Sequence, residues 1–369
     1  MVADTQVMAA FVSSFNCNDW ALGLAAVADN VAVAASSGKI HVLSKILQST
    51  STLSAHSRSI NKIRALDSYT FASCSNDGTV KVWDARTNRE TLTLSNARQL
   101  PFLSLDTSYN LLVAGTELSG SDSELILWDL RKPTQPLRTF IDSHNDDITE
   151  ARFHPSSRQL LLSGSTDGYV NIYDLSVPEE DDALLQVINF TSIHSANFLS
   201  PNRIYTLSHM ETFAVHELND HRTEEHIEPQ PKQFGDVREK WGCEYVVDLQ
   251  APGYVFCGSN SKHELKMHRF DPAVENFDFS GESPVYFPDA HGEEVVRDAL
   301  VLDNMVYTAG EDNLVKLWKT PCLLADTSAA FFSSAPQPVE TKQQEPKPES
   351  DRKHRKKKHK KDSKRFRPY

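Results

Sequence analysis

Cysteine is scarce in this 369-residue chain. The five residues, Cys17, Cys74, Cys243, Cys257 and Cys322, are odd in number, and no pair stands at C-x-x-C spacing. That argues against a disulfide framework and a thiolate zinc site, and fits a reducing compartment. Long apolar runs are missing too. The longest small-apolar stretch, Ala21 to Ala35, is broken by Asp29 and Asn30 and cannot span a bilayer without burying a charge, so no membrane partner is expected. The N-terminus carries Asp4 and no basic lead-in, so no secretory signal and an intracellular location are expected. Catalytic signatures are also lacking. Ser36-Ser37-Gly38-Lys39 places a Lys after a Gly without the rest of a phosphate loop, and neither H-E-x-x-H nor G-x-S-x-G occurs. No cofactor and no metal are expected, and His354 and His359 read as part of a solvated basic stretch.

Apolar residues make up 39% and charged residues 24%, as in ordinary globular proteins. The net charge of −12 is unevenly spread: residues 351–369 hold eleven Lys/Arg against two Asp, while the acidic residues concentrate before them. Between them, residues 328–350 are rich in Pro, Gln, Ser, Glu and Lys and cannot bury enough apolar area to offset the entropy of ordering. The expected organisation is a folded part over 1–320, a disordered linker over 321–350 and a basic tail over 351–369.

The folded part repeats. FASCSNDGTVKVWDAR (71–86), LVAGTELSGSDSELILWDLR (112–131), LLSGSTDGYVNIYDL (161–175) and YTAGEDNLVKLWK (307–319) share one order: apolar run, Ser or Thr, Asp at a turn, second apolar run, aromatic. Weaker copies put Leu43, His216 and His268 at the aromatic position, beside Trp83, Trp128, Tyr173 and Trp318. Successive positions lie 40 to 52 residues apart, with strand and turn signals and no helical period. Asp77-Gly78 and Asp167-Gly168 are hairpin signals. The third unit instead has a longer loop, Glu117 to Glu124, read as a tolerated insertion over a partner contact.

On these motifs the chain resembles the WD-repeat family, which implies an all-β, seven-bladed WD40 β-propeller with a disordered basic C-terminal tail. The resemblance further implies that a strand over residues 6–14 completes the last blade and removes an open sheet edge. It also implies structural tetrads, in which Asp accepts from an imidazole, the imidazole meets a hydroxyl and the hydroxyl meets an indole. They would be His56, Ser73, Asp77, Trp83; His144, Ser163, Asp167, Tyr173; and His291, Thr308, Asp312, Trp318. The same residue types could be misread as a hydrolase triad. A catalytic set occurs once, whereas this one recurs three times, so it is read as structural. Units one, five and six lack it and should be looser or held by other contacts.

Partners should meet the loops. Candidates flanking the repeated His and Asp are Arg58, Asn76, Asn145, Asp146, Thr166, Glu293 and Glu311. The polar segment 219–241, closing on Asp236, Arg238 and Trp241, reads equally as a docking element or as the cover of a blade edge. Asp236-Val-Arg238, the run 143–155 and the last unit resemble the WD repeat-containing protein 89 family, whose members imply a nuclear propeller with a basic tail. The segment from Phe71 to Arg86 also fits the sixteen-residue pattern of WD proteins that join the cullin-4 ubiquitin ligase through its damaged-DNA-binding adaptor. Trp128-Asp-Leu-Arg131 repeats its end. There Arg86 and Arg131 would grip carboxylates from one face.

The tail residues Arg352, Lys353, Arg355, Lys356, Lys357, Lys358, Lys360 and Lys361 read as a nuclear localisation signal, with RNA phosphate contact as a second role. The expected function is therefore a non-enzymatic nuclear or nucleolar scaffold binding proteins in ribosome assembly or chromatin-linked complexes. The alternatives are a substrate receptor of a cullin-4 RING ubiquitin ligase and an enzyme with a site on the propeller.

Overall fold

The computed structural model describes residues 7–219, 230–250, 253–281, 283–321 and 324. The tail read from the sequence, with the nuclear localisation residues, and all of the linker 321–350 except residues 321 and 324 lie outside them. Seven sheets, antiparallel but for one short added strand, follow one another along the chain. The first strands are Ala21–Val27, Ile60–Ala65, Phe102–Ser108, Ile148–Phe153, Ile193–Ser200, Tyr245–Gln250 and Val296–Leu302, and they line the centre of a seven-bladed propeller.

The second strands show why the sequence gives this ring. Asn30–Ala35, Thr70–Ser75, Leu111–Thr116 and Leu160–Ser165 are buried at every position after the first. A strand covered on both faces needs continuous apolar or small residues, and those runs are what repeat in the sequence. Outer strands such as Ser49–Ser54 alternate toward solvent instead. The apolar interior is accordingly seven separate clusters, one between each pair of neighbouring blades.

Every first strand carries a bulge at one place, at Ala21/Gly23, Ile60/Lys62, Phe102/Ser104, Ile148/Glu150, Ile193/Ser195, Val246/Asp248 and Val296/Asp298. The extra residue bends the strand and frees a side chain to reach sideways. Asn61 donates to Phe102 O at 2.7 Å, and Thr149 to Ile193 O at 2.7 Å. Other links run from Ser104 Oγ to Ile148 O at 2.8 Å and from Leu24 N to Asp298 Oδ2 at 2.7 Å. Polar bonds thus stitch blade to blade beneath the apolar clusters.

Ring closure differs from the expected strand over 6–14. Ala10–Asn16 is the outer strand of blade seven, antiparallel to Leu314–Lys319. Val7–Met8 runs parallel to Val285–Pro288, as a fifth strand of blade six. The segment therefore spans two blades, and Phe11 meets the Trp318 ring edge-on at 5.6 Å.

Of segment 219–241, residues 220–229 lie outside the described residues, and Lys232–Asp236 is the fourth strand of blade five. Blades five and six, which lack the full tetrad, are held by other contacts. Phe213, Phe234, Trp241, Phe270, Phe277 and Phe279 share their interface, with Phe213 and Phe277 centroids 4.8 Å apart.

Candidate functional site

The repeated polar residues come together blade by blade. In blade two the His56 ring bonds Asp77 through Nδ1 at 3.0 Å and Ser73 Oγ through Nε2 at 2.8 Å. The Trp83 indole donates to the same Ser73 Oγ at 3.0 Å. Burial holds the imidazole below its ordinary pKa despite the attraction of Asp77. Burial alone would raise Asp77, but the Thr79 hydroxyl and the Ser57 amide overrule it and keep the carboxyl low. Near neutral pH the proton order is therefore fixed. The indole donates to serine, serine to a neutral imidazole, and the imidazole to a carboxylate.

This connectivity matches a hydrolase triad, but the chemistry does not follow. Ser73 is fully buried, and its acceptor site is occupied by the indole, so no substrate carbonyl reaches it. Blade four repeats the set, with His144 at 2.9 Å from Asp167 and 2.7 Å from Ser163, and Ser163 Oγ 3.3 Å from the Tyr173 hydroxyl. Blade seven places His291 at 2.6 Å from Asp312 and 2.8 Å from Thr308, which accepts from Trp318 at 3.1 Å. Each Asp closes the turn to the third strand. Gly78 there has φ +79°, and a Cβ on it would stand 2.7 Å from Gln99 O. Blade five keeps a shorter version that the sequence reading missed, with Thr206 Oγ1 3.0 Å from His216 Nε2. In blade six Cys257 takes the hydroxyl's register position, and His268 stacks on Phe279 at 4.4 Å.

The candidates flanking these sets divide. Arg58, Asn145 and Glu293 are exposed. Asn76 is half-buried and accepts from Asn61 at 2.6 Å, and Asp146 is half-buried and caps the Asp147 amide at 2.9 Å. Two expectations are corrected. The Thr166 hydroxyl is buried. Glu311 is withdrawn into an ion pair with Arg297, since the bulged Arg297 reaches across to it. Trp241 is corrected as well. It is buried in the blade five–six interface and its indole donates to Phe277 O at 2.9 Å, so it serves the core.

At the opposite end of the blades, Arg86 and Arg131 project into solvent with side chains 65% and 69% exposed. Each is fastened to the aspartate two residues earlier. Arg86 meets Asp84 through Nη2 at 2.6 Å and Nε at 3.1 Å, and Arg131 meets Asp129 at 2.6 and 2.8 Å. The arginine's own hydrogen bonds hold each carboxyl down to about 2. The side-on edge expected to grip a partner's carboxylate is therefore filled from within, leaving Nη1 outward. Asp236 and Arg238 repeat the clasp at 2.6 Å, but at the end of the blade that holds the turns, because Asp236 pairs with Thr212.

The channel is lined by charges that the sequence reading passed over. Glu150 pairs with Arg152 at 2.9 Å and with Lys62 at 3.6 Å, while Arg64, Asp248 and Asp298 lie in the same cavity. Burial, with Asp248 beside it, pushes Asp298 up to about 6. The signal was a charged residue at one offset in several first strands, Lys62, Glu150, Asp248 and Asp298, each directly after the bulge. Among the described residues no His/Cys/Asp/Glu group could hold a metal ion, and no helix is long and apolar enough to cross a membrane.

A family model described as the Vps42 beta-propeller matches residues 8–176. The chain is 45% identical over 320 residues to an uncharacterized WD repeat-containing protein of Saccharomyces cerevisiae, covering 83% of this chain and 80% of that one. It is 35% identical over 170 residues to the WD repeat-containing protein 89 homolog of Dictyostelium discoideum, covering 45% of each. Seven blades, a polar set recurring in three of them and a near full-length relative carry one conclusion: the chain belongs to the WD repeat-containing protein family.

Proposed function

We propose that this propeller is a non-enzymatic nuclear scaffold that presents its faces to protein partners in ribosome assembly or chromatin-linked complexes. The observation that carries the reading is the burial of the His–Ser/Thr–Asp sets in three separate blades. Their reactive atoms are consumed in holding turns, so the exposed chemistry belongs to the loops those turns support. A shorter match, 34% identical over 128 residues, is to a protein named as a ribosome biogenesis protein homolog of Oryza sativa, which supports the assembly reading. The basic stretch 351–369 supports nuclear residence and a salt-dependent contact to RNA. Proximity labelling of the full chain, with and without residues 328–369, tests this. Specific nuclear proteins should be captured by the full chain and lost without the tail. Capture of none by the full chain sinks the scaffold.

A second reading, a substrate receptor of a cullin-4 ligase, is favoured by Arg86 and Arg131 standing exposed at the same end of adjacent blades. A relative named DDB1- and CUL4-associated factor 10 of Homo sapiens is 32% identical over 128 residues, covering 33% of this chain and 22% of that protein. The double change Arg86→Ala and Arg131→Ala should abolish co-purification of the adaptor while the melting profile holds. Undiminished co-purification rejects the interface.

A further inference from the structure

We infer that the central channel is a binding site for a small zwitterion of the amino-acid class, its carboxylate held by Lys62, Arg64 and Arg152 and its ammonium group by Asp248 and Asp298. The strand pattern builds the site. Lys62, Glu150, Asp248 and Asp298 each follow directly on the bulge of their first strand. Arg64 and Arg152 come two residues later, on the same face of the same strands as Lys62 and Glu150. Blades one and five put Gly23 and Ser195 at the register where blades two, four, six and seven put a charge. The cavity that these residues line opens to solvent and measures about 510 Å³, within the size range of small-molecule sites.

Its charges are unmatched in opposite senses on two walls. Glu150 serves two cations at once: Arg152 Nε donates to it at 2.9 Å, and Lys62 Nζ lies 3.6 Å away. Arg64 forms no ion pair among the described residues; its Nη1 reaches only Ile63 O, at 3.3 Å, and its Nε is buried with no hydrogen-bond partner. Asp106, outside the lining, is turned to the Phe153 amide at 2.8 Å. Blades two and four therefore offer three cations against one carboxylate, and blades six and seven offer the reverse. Asp248 accepts from the Leu249 amide at 2.9 Å, and Asp298 from the Leu24 and Ala299 amides at 2.7 and 2.9 Å. Among the described residues no ion pair reaches either carboxyl, and Arg297, next to Asp298 in the chain, turns to Glu311 instead. Burial, with Asp248 beside it, holds Asp298 up at about 6, and a cation between the two carboxyls would relieve that. His194, also in the lining, is held down at about 4 by burial and the His209 ring, so it adds no charge near neutral pH.

This division selects the ligand. An anion drawn to the three cations would face two carboxylates, and a cation drawn to the carboxylates would face the cations. A molecule with one carboxylate and one ammonium group satisfies both walls. Its carboxylate accepts from the Arg64 guanidinium, which suits bidentate pairing, and its ammonium donates to carboxyls that otherwise take only backbone amides. Because it would touch four blades, it binds the closed ring and not the unfolded chain, so it should raise Tm.

The test titrates the full chain with the common amino acids, one at a time at neutral pH, by isothermal calorimetry and thermal unfolding. At least one should bind saturably and raise Tm. Its Nα-acetyl derivative, which lacks the ammonium, and its α-amide, which lacks the carboxylate, should each bind about tenfold more weakly or worse. Arg64→Gln and Asp248→Asn should each weaken the free amino acid by a similar factor while the unliganded chain stays folded. No binding by any amino acid overturns the inference. Equal binding of a blocked derivative or of acetate, or unchanged affinity in either variant, overturns it as well. Should a variant fail to fold, the blocked derivatives on the unaltered chain decide alone.

Discussion

Ser73 shows how much one hydroxyl does here. It accepts from the Trp83 indole and meets the His56 imidazole, both in a dry interior. Ser73→Ala leaves an indole donor and an imidazole nitrogen buried without partners, at a cost of about 1–3 kcal/mol. Urea unfolding should show that loss, and a midpoint equal to the parent's would refute the buried relay. Glu211 supplies a pH-dependent test. Burial raises its folded pKa from 4.5 to about 7, although its carboxyl accepts from the Val246 amide. The folded state thus holds this proton more tightly than the unfolded chain. The group's contribution to stability falls as pH rises from about 4.5 to about 7 and stays low above that. Glu211→Gln removes the decline, so the variant's Tm relative to the parent should be higher at pH 8 than at pH 5. An equal difference at both values would contradict the shift.

At the scale of the element, the closing segment is decisive. Ala10–Asn16 supplies the only partner for the free edge of Leu314–Lys319 among the described residues, while Val7–Met8 adds two residues to blade six. Removing residues 1–8 should lower Tm slightly. Removing residues 1–16 should expose Trp318 and an unpaired edge, giving a large loss of Tm and association on size-exclusion chromatography. A monodisperse, unshifted shorter chain would show that closure is dispensable. The same scale explains what the sequence made legible. The four strong units announced themselves because strands buried on both faces force apolar runs, and because Asp77-Gly78 and Asp167-Gly168 mark turns that need positive φ. Lys232–Asp236 was obscure because an outer strand with little burial carries no apolar pattern. Trp241 looked like a docking residue because its polar neighbours on the chain hid the aromatic cluster it joins from other strands. The Arg297–Glu311 pair depends on a bulge, which leaves no local signature.

At the scale of the whole molecule, seven interfaces replace one core, and that arrangement has an energetic signature. Ile63 belongs to the interface of blades one and two, and Phe198 to that of blades four and five. Each change to Ala should cost about 2–5 kcal/mol by leaving a cavity. Because the clusters share no residue, the double variant should lose the sum to within about 0.5 kcal/mol in denaturant unfolding. A larger departure would mean that strain passes around the ring.

The straddling segment also constrains how the molecule is made. Residues 7–16 emerge during synthesis well before their pairing partners at 285–288 and 314–319. Until then the nascent polypeptide carries two unmatched sheet margins, and loop-closure entropy delays their union. Closure of the ring should therefore be a late step in maturation.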